Sequence, residues 1–337
     1  MKSQARLAKL ESAPPNMRKQ FIEVPLQLDA RPLDRLRTLL SAVLLSPLSL
    51  AVASIRGAPG IGLHLRIMRT GLRLMLLGRL PWNICAGFIL FPMDSTRYFE
   101  FDAVGKRVGS LPFKRYLDIS SPRFAPVFHL QDGPDATAVF INPDASDLDQ
   151  TRALASALGL DARCSFFNGV LEDLPEPAGS FDLVTCISVL EHIPDDTKAI
   201  ESMWAALRPG GRLLLTLPCM AVGLEQFISH DQYGVLQPGE DGYTFWQRYY
   251  DQDLLSARIF RKVGVPAYTA IYGEKRCGLF FRNATMKRLL GARYPSWREP
   301  LMVANEYQRY SSIGELPGEG VVMREFSKPT QYRRERK

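Results

Sequence analysis

The chain has 337 residues, 46% hydrophobic and 23% charged, an ordinary globular composition with room for a sizeable core and up to two domains. Its five cysteines, Cys85, Cys164, Cys186, Cys219 and Cys277, are far apart with no histidine cluster beside them, which excludes a zinc site by spacing and fits a reducing, cytoplasmic setting. The net charge of +7 is unevenly spread: residues 1–110 hold 16 Lys and Arg against 7 Asp and Glu, a net +9, whereas residues 111–220 hold 8 against 15, a net −7. An anionic partner is expected to meet the amino-terminal part, or the basic tail 331–337, first.

Between Arg37 and Arg56 lie 18 uncharged residues. Their length raises a membrane span or a signal segment; Pro47, four serines and the long, mixed leader point instead to a buried or interfacial helical pair. From Ile61 to Leu80, Arg66, Arg69 and Arg73 share one face of a helix and Leu65, Met68, Leu72, Met75 and Leu76 line much of the rest. This basic amphipathic helix reads either as a membrane-surface element or as the solvated cover of a core. Aliphatic rather than aromatic interleaving speaks against nucleic acid. The aromatic run Gly87 to Val104 is expected to dock onto the domain that begins near residue 111, and no Gly/Ser-rich boundary or repeat is visible.

The most informative stretch is Gly179 to Pro218. Phe181 to Val189 is a nearly continuous apolar run suited to a strand buried on both faces. It ends in Glu191, His192, Asp195 and Asp196; a helical spacing of Ile200, Met203, Trp204 and Leu207 comes next, stopped by Arg208-Pro209-Gly210-Gly211 before the apolar Leu213 to Leu217. This strand–helix–strand crossover places Ser188 to Ile193 beyond the carboxyl end of a strand, where ligands sit in open parallel sheets. Val222 to Trp246, with His230, Tyr233 and Trp246, suits an acceptor-binding lid. Asp251 can cap a helix to Lys262, and Ala267 to Tyr272 and Val321 to Phe326 read as strands. The aromatic, basic insertion between those strands, near 275–318, suits core or lid packing or, less favourably, a glycan or headgroup contact.

The ordered set Ser180-Phe181-Asp182-Leu183-Val184, Val189-Leu190-Glu191-His192-Ile193-Pro194-Asp195 and Leu207-Arg208-Pro209-Gly210-Gly211 resembles the class I S-adenosylmethionine-dependent methyltransferases. The resemblance covers roughly Tyr116 to Tyr272. It implies a Rossmann-like α/β fold with a seven-stranded, mostly parallel, doubly wound sheet over 111–330, preceded by a helical extension over 1–110. It also implies methyl transfer from S-adenosylmethionine, without a metal, to a small-molecule, lipid-linked or saccharide acceptor. Site residues implied by position are Asp118, Ser120 and Ser121 after the first strand, Asn142 and Asp144 after the second, and Val170 and Leu171 after the third. Ser188 completes the cofactor set, with Glu191 and His192 as catalytic candidates and His192 the better-placed base.

Three of these positions depart from the family pattern. Ser120, Pro122 and Phe124 stand where three glycines are usual, and Pro122 has no N–H to donate. Asn142 replaces the acid that holds the ribose hydroxyls, though Asn-Pro-Asp is also good turn chemistry. Val170 replaces the acid near the adenine. The altered turn also suits a protein of this fold that binds or scaffolds without catalysing, or one that uses another ligand. The basic extension predicts peripheral association with anionic membranes.

Overall fold

A computed structural model describes residues 17–23, 31–229 and 236–330. After the short strand β1 (Arg18–Ile22) come four helices: α1 (Pro32–Ile55), α2 (Ile61–Leu76), α3 (Trp82–Leu90) and α4 (Ser95–Val108). Then come β2 (Arg115–Ile119), α5 (Phe124–Asp132), β3 (Thr137–Asn142), α6 (Ala145–Ala157), β4 (Cys164–Asn168), β5 (Phe181–Ile187), α7 (Asp196–Ala206) and β6 (Leu207–Cys219). The remainder is β7 (Leu224–Ile228), β8 (Thr244–Tyr249), a helix α8 over 252–263, β9 (Tyr268–Glu274), α9 (Leu279–Leu290), α10 (Glu299–Glu306), β10 (Tyr307–Tyr310) and β11 (Gly320–Ser327).

The main sheet runs β10-β9-β11-β6-β5-β2-β3-β4. From β6 to β4 all pairs are parallel, and β11 is antiparallel to both β6 and β9. The described sheet therefore has eight strands rather than seven, because the insertion folds back as β10, antiparallel to β9. Strand order reverses between β2 and β5, and that switch point is where a crevice opens at the carboxyl ends. β5 is buried along nearly its whole length, which explains its continuous apolar pattern.

The long uncharged run forms one 24-residue helix, α1, instead of a pair of helices. Pro47 sits inside it, where the missing N–H and ring clash ordinarily break a helix. A narrow seam of Ala42, Ser49, Leu50 and Ala53 is buried against the rest of the protein. Gly60, at φ 73°, starts α2 so close to α4 that a Cβ would lie 2.3 Å from the Tyr98 carbonyl oxygen, so no other residue fits there. His64 Nδ1 meets the Tyr98 hydroxyl at 2.5 Å beside it, and Phe99 of α4 stacks on Tyr272 of β9 at 4.8 Å between centroids. Such a ring pair contributes about 0.5–1.5 kcal/mol beyond area burial. The aromatic run thus does dock: Tyr98, Phe99, Phe101 and Val104 are all core residues.

A second sheet, β1-β7-β8, covers the carboxyl end of β5. The amino-terminal strand β1 pairs parallel with β7, and a side-chain ladder runs Gln247 to Gln226 to Gln20 at 2.6 and 2.8 Å. The stretch expected to be an acceptor-binding lid thus supplies β7 and the start of β8 to this sheet, its Phe227 stacking on Phe21. Tyr294 and Tyr307 of the insertion are buried, which assigns those two to packing.

Candidate active site

The turn after β2 closes on itself. Asp118 accepts from the Thr185 hydroxyl at 2.6 Å and from the Ser121 N–H at 3.1 Å, and burial pushes its carboxyl up to about 6. Ser120 takes φ 50° and donates its N–H to the Ile141 carbonyl at 2.8 Å; Ser121 Oγ accepts the Ile187 N–H at 3.0 Å. The turn is thus pinned to β3 and β5 by side-chain and backbone bonds. A non-glycine residue in the left-handed region carries strain of about 1–3 kcal/mol, typical of functional turns.

Asn142 and Asp144 serve the entry of α6. Asn142 accepts the Asp144 N–H at 2.9 Å and donates to Asp147 Oδ2 at 2.8 Å. Asp144 caps the helix through the N–H groups of Ser146 and Asp147. Of the carboxylates at this helix entry, Asp147, which position counting did not single out, is the one that borders a cleft. It lines a cleft of about 330 Å³ with Pro122, Arg123, Phe124, Arg97, Lys287 and Glu299, and burial raises its proton affinity against the pull of Arg123. Val170 is 46% exposed and Leu171 half-buried, on the loop after β4 and outside that cleft's lining.

At the end of β5 the chain turns through Ser188 at φ 51°. Its N–H donates to Thr216 Oγ1 at 3.0 Å, and its hydroxyl donates to Glu100 Oε1. Glu100 comes from α4, is fully buried, and also accepts from Thr216 Oγ1 at 2.8 Å and from Arg97 at 2.5 Å. Arg97 lines the cleft as well, so the cleft ends one side chain away from this buried carboxylate. Sequence reasoning missed Glu100; the available signal was an acid flanked on both sides by aromatics, Phe99 and Phe101.

Glu191 is 3% exposed, and its Oε2 has no hydrogen-bond partner. Burial pushes its carboxyl up to about 8, the Glu100 carboxylate adds to the rise, and the Arg97 guanidinium opposes it. His192 lies beside it, Nε2 at 3.9 Å from Glu191 Oε1, with Nδ1 at 2.7 Å from the Trp246 carbonyl. A carbonyl only accepts, so Nδ1 carries the proton, and burial lowers the ring's basicity. The Trp246 ring packs edge-on against the imidazole at 5.0 Å. The structure therefore brings Glu191, His192, Ser188 and Trp246 together and adds Glu100 and Arg97; His230 and Tyr233 lie outside the described residues.

Below this site Asp196, the first residue of α7, is wholly buried. It accepts from Arg248 at 2.5 Å, Tyr250 at 2.7 Å and Arg258 at 2.7 Å. This knot fastens β8, and with it Trp246, to the crossover helix.

Residues 118–215 match a family described as a methyltransferase domain. A ubiquinone biosynthesis O-methyltransferase of Xanthomonas axonopodis pv. citri is 39% identical over 85 residues, 25% of this chain and 34% of that protein. The protein of the same description from Xanthomonas campestris pv. campestris, strain B100, is 33% identical over 132 residues, 37% of this chain and 51% of that protein. The chain thus spans about a third to a half of the length of these curated relatives. A geranyl diphosphate methyltransferase in complex with SAM aligns at a TM-score of 0.44 and 12% identity, covering 73% of this chain and 90% of that one.

Proposed function

We propose that this chain, whose residues 118–215 match a methyltransferase-domain family, is a class I S-adenosylmethionine-dependent enzyme that methylates an oxygen of a small-molecule acceptor. The observation that carries the reading is Glu191: a buried carboxyl at the end of β5 with one unpartnered oxygen and a proton affinity raised to about 8. A base of that strength matches the removal of a hydroxyl proton near neutral pH. The relatives described as O-methyltransferases support an oxygen nucleophile.

The residues present fit the cofactor, with partners shifted from those the family resemblance implies. Asp147 stands at the amino end of α6 where ribose hydroxyls would be held, taking the part expected of Asn142 and Asp144, which are spent on the turn and the helix cap. Arg97, Lys287, Asp94 and Glu299 line the same cleft and would hold a zwitterionic amino-acid end. Bound there, S-adenosylmethionine supplies an electrophilic methyl group on a sulfonium.

Within this reading Glu191 accepts the acceptor's hydroxyl proton on Oε2. Arg97 and Glu100 fix the charge around it, and Trp246 forms an aromatic wall steadied by His192. His192 is the weaker choice of base, since its Nδ1 proton is committed to a carbonyl and its Nε2 is lowered in basicity.

Calorimetry with S-adenosylhomocysteine, followed by methyl transfer to a phenolic acceptor such as catechol, tests the reading. Binding that survives Glu191→Gln, with transfer reduced about a hundredfold or more, is expected. No binding at millimolar ligand overturns the enzyme and favours a scaffold of this fold; equal transfer by the variant removes Glu191 as base.

A further inference from the structure

Beyond catalysis, we infer that α1 lies in the plane of an anionic membrane surface, with its leucine-rich outer side among the lipids and its alanine seam on the protein. The helix is about 36 Å long. It buries only the narrow strip Ala42, Ser49, Leu50 and Ala53, while Leu36, Leu40, Val43, Leu44 and Leu48 are between 52% and 73% exposed. No acidic or basic residue interrupts positions 38–55. Contiguous apolar surface of this extent is rare on a soluble monomer without a partner.

Charge identifies the occupant. Residues 31–80 hold eight arginines and one acid, Asp34, and Asp34 is already paired with Arg293 at 3.2 Å. Arg35 and Arg37 are exposed in the first turns of α1, and Arg69 and Arg73 are exposed on the following helix α2, a supply of cationic side chains that anionic headgroups attract. Arg66 is excluded from that role, being held by Asp132 at 2.6 Å and by the face of Phe128. The same extension exposes Leu76, Leu77 and Trp82, the last at 75%, and tryptophan suits the headgroup boundary.

Orientation is set by the two ends of α1. Asp34 near its start is paired with Arg293, and Arg56 just past its end bonds Asn305. Both partners belong to the insertion next to the cleft, so the helix is fastened lengthwise to the body rather than projecting from it. A second helix would seat on a narrow seam; here the exposed leucines spread around most of the circumference, which suits fluid acyl chains.

Co-sedimentation of the full chain with phosphatidylcholine vesicles, alone or mixed with phosphatidylglycerol, tests this at low and high salt. Expected is pelleting with the mixed vesicles that high salt weakens and that Leu40→Glu/Leu44→Glu/Leu48→Glu reduces about tenfold or more. The same triple variant should keep its thermal unfolding midpoint, because these side chains are already exposed. Arg69→Gln/Arg73→Gln should lower the preference for anionic lipid. Absence of pelleting, or pelleting that the triple variant retains, overturns the inference. Release by detergent alone, whatever the salt, overturns it in favour of a spanning helix, and a dimer that the triple variant dissolves, with no lipid binding, overturns it in favour of a second copy.

Discussion

Glu100, on the last helix of the amino-terminal extension, accepts the hydroxyl hydrogen of Ser188, 88 residues later at the carboxyl end of β5. The extension therefore contributes a buried charge to the switch point of the sheet. Glu100→Gln is expected to lower stability by about 1.5–3 kcal/mol, the range for hydrogen bonds to a charged group. It should also shift the pH dependence of catalysis to lower pH, because a negative neighbour of Glu191 is lost and Arg97 is released. Thermal unfolding and a pH–rate profile check the two effects; an unmoved profile would show that Glu100 acts on folding alone.

Transfer should rise with pH as Glu191 loses its proton, with a midpoint near 8 in the free enzyme. Glu191→Gln is expected to abolish that rise. His192→Ala should keep the rise at a lower plateau, since its loss disturbs Trp246 more than the base. A profile of kcat/KM for the three proteins distinguishes them.

The same group makes stability pH-dependent. Its folded proton affinity lies above the unfolded value, so between about 4.5 and about 8 the unfolded chain releases a proton that the folded chain keeps. Folding is then penalised progressively as pH rises through that window, and the penalty is complete above it. Asp118, raised to about 6, adds a loss of the same sign at lower pH. Denaturant unfolding from pH 5 to pH 9 should show a decline that is shallower in Glu191→Gln; parallel curves would contradict the assignment.

Asn142→Asp is expected to weaken S-adenosylhomocysteine binding. The amide donates to Asp147 at 2.8 Å, so a second carboxylate there would repel Asp147 and raise its proton affinity further. Tighter binding by calorimetry would instead place residue 142 on the ribose.

Asp196→Ala should cost about 3–5 kcal/mol, because Arg248, 4% exposed in its side chain, would lose a buried partner. Its unfolding midpoint in urea, compared with that of Asp196→Asn, separates loss of charge from loss of hydrogen bonding.

Local patterns made much of the fold legible. The apolar run beginning at Phe181 is β5, Asp251 caps a helix by accepting the Leu254 N–H at 2.8 Å, and the runs near Ala267 and Val321 are β9 and β11. Each is written in neighbouring residues, through strand burial, a side-chain cap or a turn. Glu191 and His192 were legible as candidates for the same reason: charge placed directly after a buried strand.

What only the tertiary structure decided are relations between residues far apart in the chain. Asn142 and Asp147 share the amino end of α6, but which of them faces the cleft depends on the hydrogen bond between them and on the walls supplied by α4 and the insertion. Glu100 meets Ser188 and Thr216 through the packing of α4, where Gly60 lets α2 close on α4 and an aromatic ring pair seats α4 against β9. The uncharged stretch before Arg56 states by itself that a long apolar helix can form; that it lies along the insertion with its leucines outward follows from the seam of Ala42, Ser49, Leu50 and Ala53 it buries and from two end contacts, Asp34 with Arg293 and Arg56 with Asn305, that span most of the sequence. Periodicity and capping are short-range properties and can be read along the chain, whereas burial of a charge and exposure of an apolar face are fixed by whichever distant segments happen to pack beside them.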